Sequence, residues 1–263
     1  MTGLIEFAPP RQLNRCMSSC MLRLFALSLM AASALFGSCS HANIQPMNPP
    51  DPAVKRKQTN EDYLKSLGVP INPHLPRVEA ESEVRLRDPK EVAKRAIVLY
   101  AVVAVASQAD RKRATLWLKR EGLWESVTPH EKDFLESNNP PERARVEASW
   151  RAESLGTLLW ALRKTERLAL PKEVCDTQLI QEIMPAPDNS CAQFINQAAL
   201  RSPSEILDAM DLIYRIHWAV VDARLNSRET AGGFHPGIVY ERHYALNWLV
   251  WYADEWDDVA TDT

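Results

Sequence analysis

The chain has 263 residues with 31 Lys+Arg against 34 Asp+Glu, a formal net charge of −3 at pH 7, and is 46% hydrophobic and 25% charged. These are ordinary values for a globular protein with a sizeable core, and the lack of a basic surplus argues against nucleic acid as a partner. Eight Trp against only eight Gly suits helices packed by large side chains, with few tight turns.

Residues 1–20 have no periodic pattern and read as an extension ahead of a better start at Met21. The stretch "MLRLFALSLMAASALFGSCS" then presents Arg23, an uncharged apolar run over 24–36, and small residues. That is the layout of a bacterial export signal over 21–39, and its apolar run is too short to span a bilayer as a helix. Two cleavages compete. "FGSC" resembles a lipobox, with Phe36 where Leu is usual, and would make Cys39 the lipidated first residue; "SHA" offers an ordinary small-x-small site ending at Ala42. The expected address is the cell envelope, facing the periplasm, and under the lipobox reading a lipid on Cys39 is the sole membrane attachment. Residues 40–58 are rich in Pro and poor in apolar side chains, a composition expected of a tether.

Beyond the tether one start signal recurs: "DPKE" at 88, "TPHE" at 128, "NPPE" at 139 and "SPSE" at 202. Each sets a side-chain acceptor at the N-cap, Pro at N1 and Glu at N3, which satisfies donors that a helix start leaves open. The pattern predicts helices near 61–67, 89–107, 111–121, 129–137, 140–167, 177–184, 191–199, 203–225 and 236–252, with Gly68 and Gly122 as stops. Only "VEAESEVRL" alternates like a strand, a short extended edge at most. The fold class is therefore all-α, a single multi-helix domain over 59–263. Of the cysteines, Cys16 and Cys20 precede the expected start, which leaves Cys175 and Cys191. In an oxidising periplasm these two would close a loop worth about 3 kcal/mol; two free thiols are the competing reading. No paired CxxC spacing occurs, so no metal is expected, and no cofactor either.

On a helical wheel, residues 203–225 put Ile206, Met210, Ile213, Tyr214, Val220 and Val221 on one broad face. Asp208, Asp211, Arg215 and Asp222 form a stripe opposite, where Asp211 and Arg215 have the i,i+4 spacing of an exposed pair. His217 and Arg224 leave that stripe and fall within the apolar face. "PGIVYERHYALNWLVWY" repeats the pattern, with Arg242 in the middle of the apolar face and Glu241 at its border. In "WRAESLGTLLWAL", Arg151 sits over Leu155 and Leu158 while Glu153 lies toward Trp160. Three helices thus aim an arginine inward, and a guanidinium that cannot shed its proton must find carboxylates or carbonyls there. The acceptors on offer are Glu153, Glu205, Glu241 and the acidic tail "ADEWDDVATDT".

The segments "WRAESLGTLLWALRK", "EILDAMDLIYRIHWAVVDAR", "ERHYALNWL" and "WDDVATDT" resemble the bacterial domain of unknown function family DUF4272. The likeness runs over roughly residues 60–263. Its matching positions are Trp150, Glu153, Trp160, Asp211, Arg215, His217, Trp218, Arg224, Glu241, Arg242, Trp256 and Asp257. The resemblance implies a shared helical fold and implies no activity.

Two function classes follow. One is a non-catalytic, envelope-tethered helical module that acts through a protein partner or a small anionic ligand, since no nucleophile motif, phosphate loop or metal signature occurs. The other is a hydrolase-like enzyme in which His217 with Glu153 or Glu241 forms an acid–base group and arginines position an anionic substrate. Each feature also has a plain structural role. His217 suits a hydrogen-bonded core, Arg151, Arg224 and Arg242 suit internal ties, and Asp254, Asp257 and Asp258 suit either a hard cation or a solvated tail.

Overall fold

An acidic or hydroxyl side chain just ahead of the first turn opens most of the helices, because its oxygen takes up backbone N–H groups that have no carbonyl above them. In the computed structural model, residues 51–187 and 189–263 are described; the export segment with Cys39, and 40–50 of the expected tether, lie outside them. Asp51 accepts from the Ala53 N–H and starts α1 (Pro52–Ser66). Asp88 starts α2 (Pro89–Ala106) and Asp110 starts α3 (Arg111–Arg120). Full reciprocal boxes, Thr128 with Glu131 and Ser202 with Glu205, open α4 (Pro129–Glu136) and α8 (Pro203–Leu225). Between these lie α5 (Glu142–Ala161), α6 (Thr177–Ile183) and α7 (Ala192–Asn196); α9 (Pro236–Leu249) follows.

Three expectations change. The first helix begins at Pro52, inside the segment expected to be a tether, since "DP" at 51–52 is one more start signal ahead of a largely polar helix. The "NPPE" box does not form, and α5 begins after Pro141 with no side-chain cap. Pro141 disfavours helical backbone at Pro140 before it, so the helix starts beyond the expected box. The segment 78–86 is irregular rather than extended, and no strand occurs among the described residues. With no second strand to pair with, the connection joins the core through a single backbone bond at its end, Arg87 N–H to the Leu249 carbonyl at 3.1 Å.

The long helices stack in the order α1, α8, α9, α5, α2, and α2 also carries α3, α4 and α7. The core runs through this stack: Ile97, Leu99, Leu155, Leu158, Leu159, Ile206, Leu207 and Ile216 are fully buried. Past α9 the chain turns at Trp251 and lays Trp256 back over α9, its ring 5.0 Å from Tyr244 and 5.3 Å from Trp248. Among the described residues no helix is long and apolar enough to cross a membrane. Cys175 and Cys191 are both free thiols, so the disulfide does not form.

Candidate functional site

The α5–α9 contact is where charge enters the core, because each helix supplies one acid and one base. Arg151 of α5 pairs with Glu241 of α9 at 3.2 Å, and Arg242 of α9 pairs with Glu153 of α5 at 3.3 Å. Crossing the pairs leaves no net charge between the helices, which buried ions require. The remaining oxygens are occupied as well. The Ser154 hydroxyl donates to the Glu241 carboxylate at 2.6 Å, and the Cys175 N–H donates to Glu153 at 2.5 Å. Arg242 donates further to the Ala169 carbonyl. Burial pushes the Glu241 carboxyl up, against the pull of Arg151 and Ser154, and pulls the Arg242 guanidinium down, against Glu153. The same burial, with Glu153 beside it, pushes the Cys175 thiol up to about 12; burial and Glu121 do the same for Cys191. Neither sulfur is a ready nucleophile.

The arginines expected inside divide into three cases. Arg242 is 5% exposed and its side chain is bonded as expected. Arg151 is buried on one side only. Arg224, in the last turn of α8, is exposed, like Leu225 beside it. The reverse error concerns Asp211 and Arg215, read as an exposed pair and in fact sealed beneath α1. Arg215 grips Asp211 bidentately at 2.7 and 2.8 Å and reaches Glu61 of α1 at 3.2 Å, while Asn60 donates to Asp211 at 2.9 Å. Of the other acceptors on offer, Glu205 stays at its own cap and on Arg201 at 2.8 Å.

His217 is buried as its wheel position predicts, but its partner is neither Glu153 nor Glu241. Its Nδ1 lies 2.8 Å from Nδ1 of His243 on α9, so one ring donates and the other accepts. Burial lowers His217 to about 4 and, with His217 beside it, His243 to about 3. Each ring keeps its Nε2 outside this bond, but burial disfavours the charged form of both, so neither is poised to take a substrate proton near neutral pH.

Arg151 opens onto a cavity of about 540 Å³ between α4, α5, α9 and the Trp256 turn, whereas Arg242, which borders two other cavities of about 480 and 630 Å³, has both Nη atoms bonded. Its guanidinium stacks on Tyr244, 4.4 Å from the ring centre. Only Nη1 is bonded, to the two oxygens of Glu241. Among the described residues Nε and Nη2 have no acceptor and, unlike Nε of Arg95 and Arg242, they are not sealed from solvent. Stacking uses the flat face of a guanidinium and leaves its in-plane N–H edge free, the geometry that receives a carboxylate or phosphate. Asp257 borders the same cavity, and its carboxylate accepts the His130 backbone N–H at 3.2 Å and lies 3.3 Å from that ring. Among the described residues no group of His, Cys, Asp or Glu is placed to hold a metal ion.

Sequence reasoning missed His243, which follows Arg242 but is turned about 100° from it, toward α8, and His130, which was hidden inside a capping signal. No local signal marks Tyr240 or Phe134 as cavity walls; the fold alone assembles them. No curated protein and no solved structure matches the chain. The model of the domain of unknown function family DUF4272 matches residues 56–259, from within α1 to past the Trp256 turn and including the residues of the Arg151 cavity, and the chain belongs to that family.

Proposed function

We propose that the domain is a non-catalytic binding module, held in the cell envelope by its N-terminal segment, that takes a small ligand through its anionic group at Arg151. The free N–H edge of Arg151 inside a 540 Å³ cavity carries this reading. A fixed, always-charged fork suits bidentate capture of an anion. The groups that would perform proton transfer are committed elsewhere: His217 to His243, Glu153 to Arg242 and Cys175, Glu241 to Arg151 and Ser154. The envelope address is supported by the signal-like pattern of residues 21–39.

Calorimetric titration with small carboxylates and inorganic phosphate tests the reading. Arg151→Lys keeps a charge for Glu241 but loses the planar fork, so affinity falls at least tenfold, about 1.4 kcal/mol, while the melting temperature stays near that of the native chain. Equal affinity in both proteins would remove Arg151 from the site.

One observation favours an enzyme as the second reading. His130 is open to solvent, stands beside Asp257 and borders the same cavity, which moves the acid–base role from His217 to His130. Turnover of a bound ester or amide that vanishes in His130→Gln, with binding intact, would establish it.

A further inference from the structure

We infer that the ligand of the Arg151 cavity is a zwitterion of the α-amino acid class, with its carboxylate on Arg151 and its ammonium on the acidic rim formed by Asp133 and Glu147. The inference rests on anion binding at Arg151 and concerns what else the ligand must carry.

Charge accounting around the cavity motivates it. Arg151 is already neutralised by Glu241, and Glu131 by Arg95 at 2.5 Å. What remains on the walls is acidic. Asp257 is spent only on His130, through its backbone N–H at 3.2 Å and the nearby ring at 3.3 Å. Glu147 pairs only with the exposed Arg143 at 2.7 Å, a contact that solvent weakens. The Asp133 side chain is exposed and has no partner among the described residues. A ligand with only negative charge would be drawn in by one N–H edge and opposed by three carboxylates. An ammonium on the same molecule turns that opposition into attraction.

The faces of Tyr244 and Trp256 do not offer the amine an alternative seat. The Arg151 guanidinium stacks on Tyr244 at 4.4 Å and lies 5.8 Å from the Trp256 ring, which Arg95 also approaches at 5.1 Å. With those two faces taken by cations, neither ring is left to cage an ammonium; Tyr240 and Phe134 also line the cavity, and the rim variant below separates a seat on those rings from one on the carboxylates. Phe134, Val102, Pro140 and Pro141 supply apolar wall for a side chain.

Three probes that share one skeleton test the inference on the full chain by calorimetry at pH 7: phenylalanine, 3-phenylpropionate, which lacks the amine, and phenethylamine, which lacks the carboxylate. The expected result is phenylalanine binding at least tenfold tighter than either. In Asp133→Asn combined with Glu147→Gln, both exposed positions, its advantage over 3-phenylpropionate shrinks below threefold. If 3-phenylpropionate binds as tightly as phenylalanine, the zwitterion is wrong while Arg151 remains an anion site. An advantage that persists in the double variant overturns the role of the rim. No binding by either carboxylate, or phenethylamine binding tightest, overturns the Arg151 reading and this inference with it.

Discussion

A guanidinium cannot neutralise itself by losing a proton, so every arginine drawn into this core has recruited oxygen atoms. Arg215 takes two carboxylates and a carbonyl, Arg95 takes Glu131, and Arg87 takes the carbonyls of Trp248, Ala253 and Asp254 with Glu91 beyond them. The imidazoles of His217 and His243 follow the opposite course and stay neutral, held about 4 and about 3 by burial, below the ordinary 6.5. In the unfolded chain both rings take up protons near pH 6.5, and in the fold they resist until well below pH 5. The unfolded state therefore binds more protons as pH falls from 6.5 toward 4, and stability that is intact above pH 7 drains away across that window. Replacing both rings by Gln leaves carboxylates elsewhere unchanged, so urea unfolding between pH 7 and pH 4.5 shows a smaller loss of stability than in the native chain. An identical loss in both proteins would mean the rings are charged or exposed in the fold.

At the scale of helices, starts were legible in the sequence and stops were not. Asp, Thr or Ser before Pro marks the starts of α2, α4 and α8, and replacing Ser202 by Ala costs about 1 kcal/mol in unfolding free energy. Six helices end in one motif, in which a residue of positive φ turns the chain and the next N–H bonds back five residues. The turning residues are Gly68, Gln108, Gly122, Arg163, Ser227 and Trp251. Only the two glycines announce themselves, which is why α5 and α9 were read too long past Ala161 and Leu249. The four other residues adopt a conformation that glycine would take more readily, and they account for a chain with so few glycines. The missed reach of α1 explains the error at Asp211 and Arg215: a stripe that is polar on the wheel of α8 is polar because another polar helix covers it. Arg56 of α1, 6% exposed, bonds Asp208 of α8 at 2.7 Å and Glu81 at 2.5 Å. Arg56→Ala thus lowers unfolding free energy by about 2 kcal/mol, measured by urea denaturation, whereas a solvated tether at that position would register no change.

Across the whole molecule the polar contacts form seams between layers rather than a surface decoration. Asp211 and Arg215 join α8 to α1, the two histidines join α8 to α9, and the crossed pairs join α9 to α5. Inward charge on α5 and α9 was visible from the wheel, but which acid meets which base depends on helix order, which no local pattern encodes. The cavity beside Arg151 depends in turn on the C-terminal turn. Trp256, 2% exposed, packs edge-on against Tyr244 and Trp248, and Trp256→Ala costs about 3–5 kcal/mol and weakens any ligand held at Arg151. The crossed pairing itself is tested by a double-mutant cycle on Glu153→Gln and Arg242→Ala, read by urea unfolding at pH 7. Arg242→Ala alone is expected to lose more than about 2 kcal/mol by stranding a buried carboxylate, and adding Glu153→Gln to recover at least about 1.5 kcal/mol of it. Strictly additive losses, or an Arg242→Ala protein as stable as the native chain, would contradict a core tied together by exchanged charges.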